Sequence, residues 1–259
     1  MSSRIAGKFR DLRKKNGKAF IPYIMAGDPN IKRTRELISV LEGCGADIIE
    51  LGVPFSDPLA DGPTIQKAAQ KALDEGITLK KVIAFVAELR AGTQIPIILM
   101  TYYNPVFKYG EEKFVLDAAS AGVDGVIVPD LPPDEAGNLM KHARKRGLDT
   151  IFLLAPTSTD DRARRVARTS TGFIYYVPIT GITGSKLSLD ASLGSHIARI
   201  RSLSDKPVAV GFGVSTPEEA ADISEFADGV IVGSAIVKKV GESDEELKSY
   251  LLSLRNAIK

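Results

Sequence analysis

Eight short runs of β-forming residues recur along the chain: "AFIPYIM" at 19–25, "DIIELGV" at 47–53, "PIILM" at 96–100, "DGVIVPD" at 124–130, "TIFLLAP" at 150–156, "GFIYYVP" at 172–178, "PVAVGF" at 207–212 and "DGVIVGS" at 228–234. Val, Ile and Leu follow one another in these runs rather than alternating with polar residues, the pattern of parallel strands covered on both faces. Between them lie segments of helical period. Leu37, Val40, Leu41 and Cys44 form one stripe, Phe114, Ala118 and Ala121 a second, and Leu247, Leu251 and Leu254 a third. Gly45, Gly122 and Gly147 stand between a helical segment and the next run, where a left-handed residue ends a helix. Eight strands alternating with helices in 259 residues predict an α/β fold, a (β/α)8 TIM barrel. No compositional shift or low-complexity linker divides it, so one domain over 1–259 is expected. An open doubly wound sheet would carry a G-x-G-x-x-G turn after its first strand, where this chain reads "AGDPNIK".

Composition excludes several classes of function. Lys and Arg number 34 and Asp and Glu 32, a formal charge of +2, so no strong field marks a partner of nucleic acid or anionic membrane. No apolar stretch approaches the roughly 20 residues that span a bilayer. The basic residues Arg10, Arg13, Lys14, Lys15 and Lys18 are interrupted by Asp11 and adjoin no apolar core, so a solvated helix face is expected there rather than a secretory signal. A single cysteine, Cys44, allows neither an internal disulfide nor a multi-cysteine metal site. The expected location is the cytoplasm, or the plastid stroma in a photosynthetic eukaryote.

The stretch "IIELGVPFSDPLADGPTIQ" at 49–67 sets acidic side chains at the end of the second strand, the end of a barrel strand where active sites are built. Glu50 follows Ile48 and Ile49 and meets little water, which raises its pKa and suits it to proton transfer near neutral pH. A Glu paired with a Lys in the barrel mouth fits the same spacing. Asp57, in "SDP", reads as a turn residue. Asp61 precedes Gly62 and Pro63 and suits either a catalytic carboxylate or the cap of a helix starting near Thr64. Farther on, "AVGFGVSTPEE" and "VIVGSAIVKKV" place small residues where helices begin after strands seven and eight, the usual phosphate site of this fold. "YYVPITGITGSKLSLD" has the composition of a lid. His142 and His196 fall in helical segments away from strand ends, so neither a metal site nor a Ser-His triad is expected.

Together, "IIELGVPFSDPLADGPTIQ", "GFIYYVPITGITG", "AVGFGVS" and "VIVGSAIV" resemble, in this order, the α subunits of tryptophan synthase, over essentially the whole chain. The resemblance implies cleavage of indole-3-glycerol phosphate to indole and glyceraldehyde 3-phosphate, without a cofactor in this subunit. By the same matching Glu50 and Asp61 correspond to the family's catalytic carboxylates and Tyr175 lines the site beside the glutamate. Tyr23, Ile65, Met100, Ile127 and Phe212 fall where side chains pack around the indole. Thr183 and Gly184 belong to the lid, and Gly184, Gly213, Gly233 and Ser234 fall at the phosphate. Val177-Pro178-Ile179 departs from the family pattern, in which many members carry a Ser-containing segment before the lid. The resemblance also implies a β subunit that uses pyridoxal phosphate to join indole to serine, in an α2β2 complex.

A rim rich in proline and aromatic residues, carrying Pro54, Tyr103, Asn104, Pro105, Phe107, Tyr109 and Asp130, suits such a docking surface; shaping the mouth of the site is the other role open to those prolines. Two other functions stand beside the main one: a phosphosugar isomerase with Glu50 as sole base, which would not need Asp61, and a barrel kept mainly as a regulatory partner.

Overall fold

The computed structural model describes residues 3–178, 192–211 and 213–259. Strands β1 (Ala19–Met25), β2 (Ile49–Gly52), β3 (Ile97–Met100), β4 (Gly125–Ile127), β5 (Asp149–Ile151), β6 (Leu153–Leu154), β7 (Ile174–Tyr176), β8 (Val208–Val210) and β9 (Gly229–Val232) are joined in the order β5-β4-β3-β2-β1-β9-β8-β7-β6, all pairs parallel. The expected TIM barrel is therefore present. One expectation changes: the fifth run is two segments. Its first half pairs with β4 and its second half with β7. Between them the Phe152 N–H turns to the Ser170 hydroxyl, while its carbonyl accepts from Tyr175. The run switches neighbours at Phe152, so nine segments form eight staves and the ring closes through this residue.

Apart from β1 the strands are shorter than the apolar runs that announced them, and residues at their lower ends do structural work. Asp47 donates its N–H to the Phe20 carbonyl at 2.9 Å and accepts the Phe20 N–H on its carboxylate at 3.0 Å. Asp124 makes the same two bonds with Ile97, Thr171 with Thr150 through its hydroxyl, and Asp228 with Val208. An oxygen-bearing side chain at the foot of every second stave thus satisfies an N–H in the first two residues of the stave before it, a group that the sheet ladder leaves unpaired.

Helices surround the ring: α1 (Arg4–Lys14), α2 (Ile31–Gly43), α3 (Pro63–Asp74), α4 (Leu79–Leu89), α5 (Tyr103–Tyr109), α6 (Glu111–Ser120), α7 (Gly137–Arg146), α8 (Asp160–Thr169), α9 (Ser192–Leu203), α10 (Pro217–Phe226), α11 (Ser234–Lys239) and α12 (Asp244–Ala257). The stripes on α6 and α12 are buried as the spacing predicts. On α2 the buried face runs through Leu37, Ile38 and Leu41, with Val40 at its edge. Gly45, Gly122 and Gly147 all have positive φ, as their places after helices require. Helix α1 closes the lower end of the barrel. Its Ile5 comes within 3.0 Å of where a Cβ on Gly125 would stand, and its Phe9 packs on Phe173 at 5.6 Å between ring centroids. Among the described residues no helix is long and apolar enough to cross a membrane.

At this end Asp124 is buried and accepts from Arg90 at 2.8 Å and Arg4 at 2.9 Å as well as from Ile97. Removing the carboxylate leaves the Arg90 guanidinium inside without a counter-charge, a change that costs about 3–5 kcal/mol. Asp124→Ala is expected to lower the melting temperature by about 10 °C, read in a thermal melt.

Candidate active site

Glu50 belongs to the central residues of β2, in register with Tyr23 on β1 and Ile98 on β3, so its side chain shares their face of the barrel wall. It is 1 % exposed. Burial pushes its carboxyl up to about 8, with the charge of Asp61 as the second cause, so at neutral pH it is mostly protonated. Its Oε2 has no hydrogen-bonding partner and the carboxyl has no ion pair among the described residues. The paired Glu–Lys alternative therefore falls away.

Asp61 arrives from the loop after β2. Helix α3 begins at Pro63 with Gly62 as its N-cap and no side-chain cap bond, so the capping role considered for Asp61 is not the one it has. Proline at the first helical position needs no partner for a missing N–H, and the carboxylate is left for other work. Burial raises its pKa, and a hydrogen bond from the Tyr102 hydroxyl opposes that rise. Asp57 accepts from the neighbouring Ser56 hydroxyl at 2.5 Å within the exposed loop, consistent with its reading as a turn residue.

A cavity of about 410 Å³ gathers Tyr23, Glu50, Asp61, Ile65, Met100, Tyr175, Gly213, Gly233 and Ser234. Ile127 is fully buried and in register with Met100 and Ile151, and the cavity surface on that side stops at Met100. Phe212, Thr183 and Gly184 lie outside the described residues. Tyr23 and Tyr175 are buried and their hydroxyls are held well above the ordinary tyrosine range, by desolvation first and then by the nearby carboxylates. Each lies over a glycine: a Cβ on Gly52 would stand 2.2 Å from the Tyr23 hydroxyl oxygen, and one on Gly211 would stand 2.4 Å from that of Tyr175. Only glycine lets a ring come so close to the backbone.

The opposite end of the cavity is made by backbone. Gly213 has φ +83°, in the left-handed region. The loop that carries it is pinned, because Glu219 accepts from the Ser215 N–H at 2.7 Å and the Thr216 N–H at 3.1 Å, and the Tyr250 hydroxyl donates to the Ser215 carbonyl at 2.8 Å. Gly233 is the N-cap of α11 and has no side-chain cap bond. Lys238 and Lys239 also line the cavity, Lys239 paired with Glu242 at 2.6 Å. Sequence reasoning passed over these lysines and Tyr102; the "KK" after "SAIV" was the one available signal for the lysines, and "TYY" drew notice only to Tyr103. Among the described residues no group of three or more His, Cys, Asp or Glu side chains is placed to hold a metal ion. His142 and His196 lie on α7 and α9 and do not line the cavity. The arrangement joins a neutral, proton-bearing carboxyl, a second carboxylate, apolar walls and a glycine-lined end suited to an anion.

Comparison with known proteins identifies the family. The family model for the tryptophan synthase alpha chain matches residues 9–258. The tryptophan synthase alpha chain of Geobacter sulfurreducens is 50 % identical over 261 residues, covering 99 % of each chain. Among solved structures, tryptophan synthase of Mycobacterium tuberculosis superposes with a TM-score of 0.93 at 38 % identity, over 100 % of this chain and 99 % of that one. The alpha subunit from Legionella pneumophila gives a TM-score of 0.89 at 37 % identity, over 100 % of this chain and 99 % of that one. A barrel with a buried acid within its second stave, matched along its whole length by these proteins, belongs to the tryptophan synthase alpha chain family.

Proposed function

We propose that the cavity between Glu50 and the Gly213–Gly233 end is where this chain, a single barrel domain over 1–259, carries out its family's reaction, the cleavage of indole-3-glycerol phosphate to indole and glyceraldehyde 3-phosphate. The observation that carries this reading is the buried, protonated Glu50 with an unpartnered oxygen, in one cavity with Asp61.

The bond to be broken joins C3 of the indole to the hydroxyl-bearing carbon of the side chain. Protonated Glu50 gives its proton to C3, and the ring becomes a cation with its charge centred on the nitrogen. The Asp61 carboxylate accepts the indole N–H and offsets that charge. Glu50, now ionised, takes the proton of the side-chain hydroxyl. The carbon–carbon bond then breaks, the aldehyde forms, and the bonding electron pair returns to the ring as neutral indole. Glu50 ends protonated as it began, so the step needs no external acid or base.

Tyr175 shields the Glu50 carboxyl from water, and Tyr23, Ile65 and Met100 form the apolar surroundings of the indole, with Ile127 and Phe212 assigned there by resemblance alone. Thr183 and Gly184 are assigned to the lid by resemblance, Gly184 toward the phosphate. The phosphate is held by backbone N–H groups at Gly213, Gly233 and Ser234. Two proton transfers and one charge offset call for no metal and no cofactor in this chain. Pyridoxal phosphate belongs to the β partner, which consumes the indole in an α2β2 complex, in the cytoplasm.

The rim offers that partner two apolar contacts among the described residues: Leu59, 86 % exposed in the loop after β2, and Phe107, 65 % exposed on α5 after β3. Phe107 stacks on Tyr103 at 5.8 Å between ring centroids, and the Tyr103 N–H is held by the Asp130 carboxylate at 2.9 Å, so the ring is presented on a fixed support.

Glu50→Gln keeps the shape of the side chain without its proton chemistry, and indole release is expected to fall about 10³-fold. The same variant tests the burial of the acid. Because the folded pKa of about 8 lies above the ordinary 4.5, the stability that protonated Glu50 contributes is complete below 4.5 and is lost as pH rises through 8. The Gln variant has no such loss. It is expected to melt higher than the wild type by about 5 °C near pH 9, with the gap closing toward about pH 5. Near wild-type turnover would remove Glu50 from the mechanism.

Gly233→Asp sets a negative charge where the phosphate is proposed to sit. It is expected to raise KM for the phosphorylated substrate about 10-fold or more while binding of unphosphorylated indole analogues changes little. Phe107→Asp is expected to weaken association with a β subunit about 10-fold or more in a titration, with the chain's own indole release unchanged.

A further inference from the structure

Tyr102 follows β3 by two residues, yet its side chain works on the neighbouring loop after β2. It is 4 % exposed. Its ring packs against Phe55 with 5.3 Å between centroids. Its hydroxyl oxygen accepts the Ala60 N–H at 3.0 Å, which sets the hydroxyl beside Asp61, whose ionised form it favours. One side chain from a rigid stave therefore touches the loop near both of its ends, at Phe55 and at Ala60–Asp61. Between those points Ser56, Asp57 and Leu59 are exposed, and the Asp57 bond goes no farther than Ser56. The Asp61 carbonyl is held separately, by the Gln66 side chain at 2.8 Å. The carboxylate thus has a support distinct from that of its own backbone.

We propose that Tyr102 is the positioning residue for Asp61: its hydroxyl, oriented by the Ala60 N–H, holds the Asp61 carboxylate at the cavity wall in the place from which it receives the indole nitrogen. This assignment rests on the role given to Asp61 above. A phenol has one proton to give; with the Ala60 N–H on its oxygen, that proton is directed to the carboxylate. The bond also acts on charge. The groups facing Asp61 are Glu50 on β2, Tyr23 on β1, Tyr175 on β7 and Tyr102 itself, and Asp130 acts on Tyr102 from the loop after β4. Burial favours the protonated form of Asp61, and the Tyr102 hydrogen bond is the influence that favours the ionised form. The reaction needs the ionised form, because a neutral acid does not offset a cationic nitrogen.

The test uses the full chain and indole release from indole-3-glycerol phosphate, for wild type, Tyr102→Phe, Asp61→Asn and the double variant. Tyr102→Phe keeps the ring against Phe55 and loses the hydroxyl. The expected result is a fall in kcat of about 10- to 100-fold with KM changed less than about 3-fold. The acidic limb of the kcat profile should move upward by about one pH unit, since Asp61 then protonates more readily. The double variant should be no slower than Asp61→Asn, the non-additivity of groups that act through one another. A loss of folded protein in Tyr102→Phe would scale the rate at every pH without moving the limb, so the profile decides even if the variant melts lower. An unmoved limb and unchanged kcat, alongside a severe loss in Asp61→Asn, would overturn the assignment, as would fully additive losses in the double variant. Near wild-type turnover in Asp61→Asn would instead sink the role of Asp61, and the role of Tyr102 with it.

Discussion

The hydrogen bonds that run from β1 to β9 on one side and through the split fifth stave to β4 and β7 on the other leave the sheet without an edge, and from that closure the character of the site follows. A residue facing inward from a closed ring cannot turn outward to water without breaking the ladder on both sides. Glu50 is such a residue. Its ladder partners Tyr23 and Ile98 fix its height, and the rings of Tyr23 and Tyr175 take the space that water would use. The rise of its pKa is a consequence of backbone topology before it is a property of the side chain.

Two carboxyls in one cavity would ordinarily compete for the same protonation state. Here their environments separate them. Glu50 is enclosed by strands and finds no donor for Oε2 among the described residues, so its proton stays. Asp61 comes in on a loop, is partly exposed, and lies next to Ala60, whose N–H holds the Tyr102 hydroxyl that eases its ionisation. A protonated carboxyl and a more exposed one thereby share one cavity, with no metal-ligand cluster among the described residues. The space for the flanking rings comes from Gly52 and Gly211, where a methyl group would collide with a phenol oxygen.

Much of this was legible in the sequence, for identifiable reasons. Continuous apolar runs separated by helical periods predict buried parallel strands, and Glu50 stood out because a carboxylate interrupts one of them. The long motif at 49–67 left Asp61 open between a catalytic carboxylate and a helix cap, and the family resemblance set it beside Glu50. Three things were not legible. The break at Phe152 depends on which neighbour accepts each bond, and an unbroken run of "TIFLLAP" carries no mark of a change of partner. The N-cap at Gly62 could not be told from one at Asp61, since both residues suit that position. Tyr102 escaped because its hydrogen-bonding partner Ala60 lies 42 residues earlier in the chain, a separation that no local pattern encodes.

The paired bonds at the foot of the barrel organise the chain in a way that the ring itself does not. They link the first stave to the second, the third to the fourth, the fifth to the sixth and the seventh to the eighth, through Asp47, Asp124, Thr171 and Asp228. Each clasp joins staves adjacent in sequence, and none spans the connections that lead from the second stave to the third, the fourth to the fifth, or the sixth to the seventh. The barrel is thus a cycle of four self-fastened βαβ modules, each a strand, a helical crossover and a parallel strand. A backbone nick between β4 and β5 leaves two complete modules on each fragment, whereas one between β3 and β4 divides a clasp between the pieces. New termini for a circularly permuted or split form of the molecule belong at the first kind of boundary, because there each half keeps its own fastenings when the covalent connection is gone.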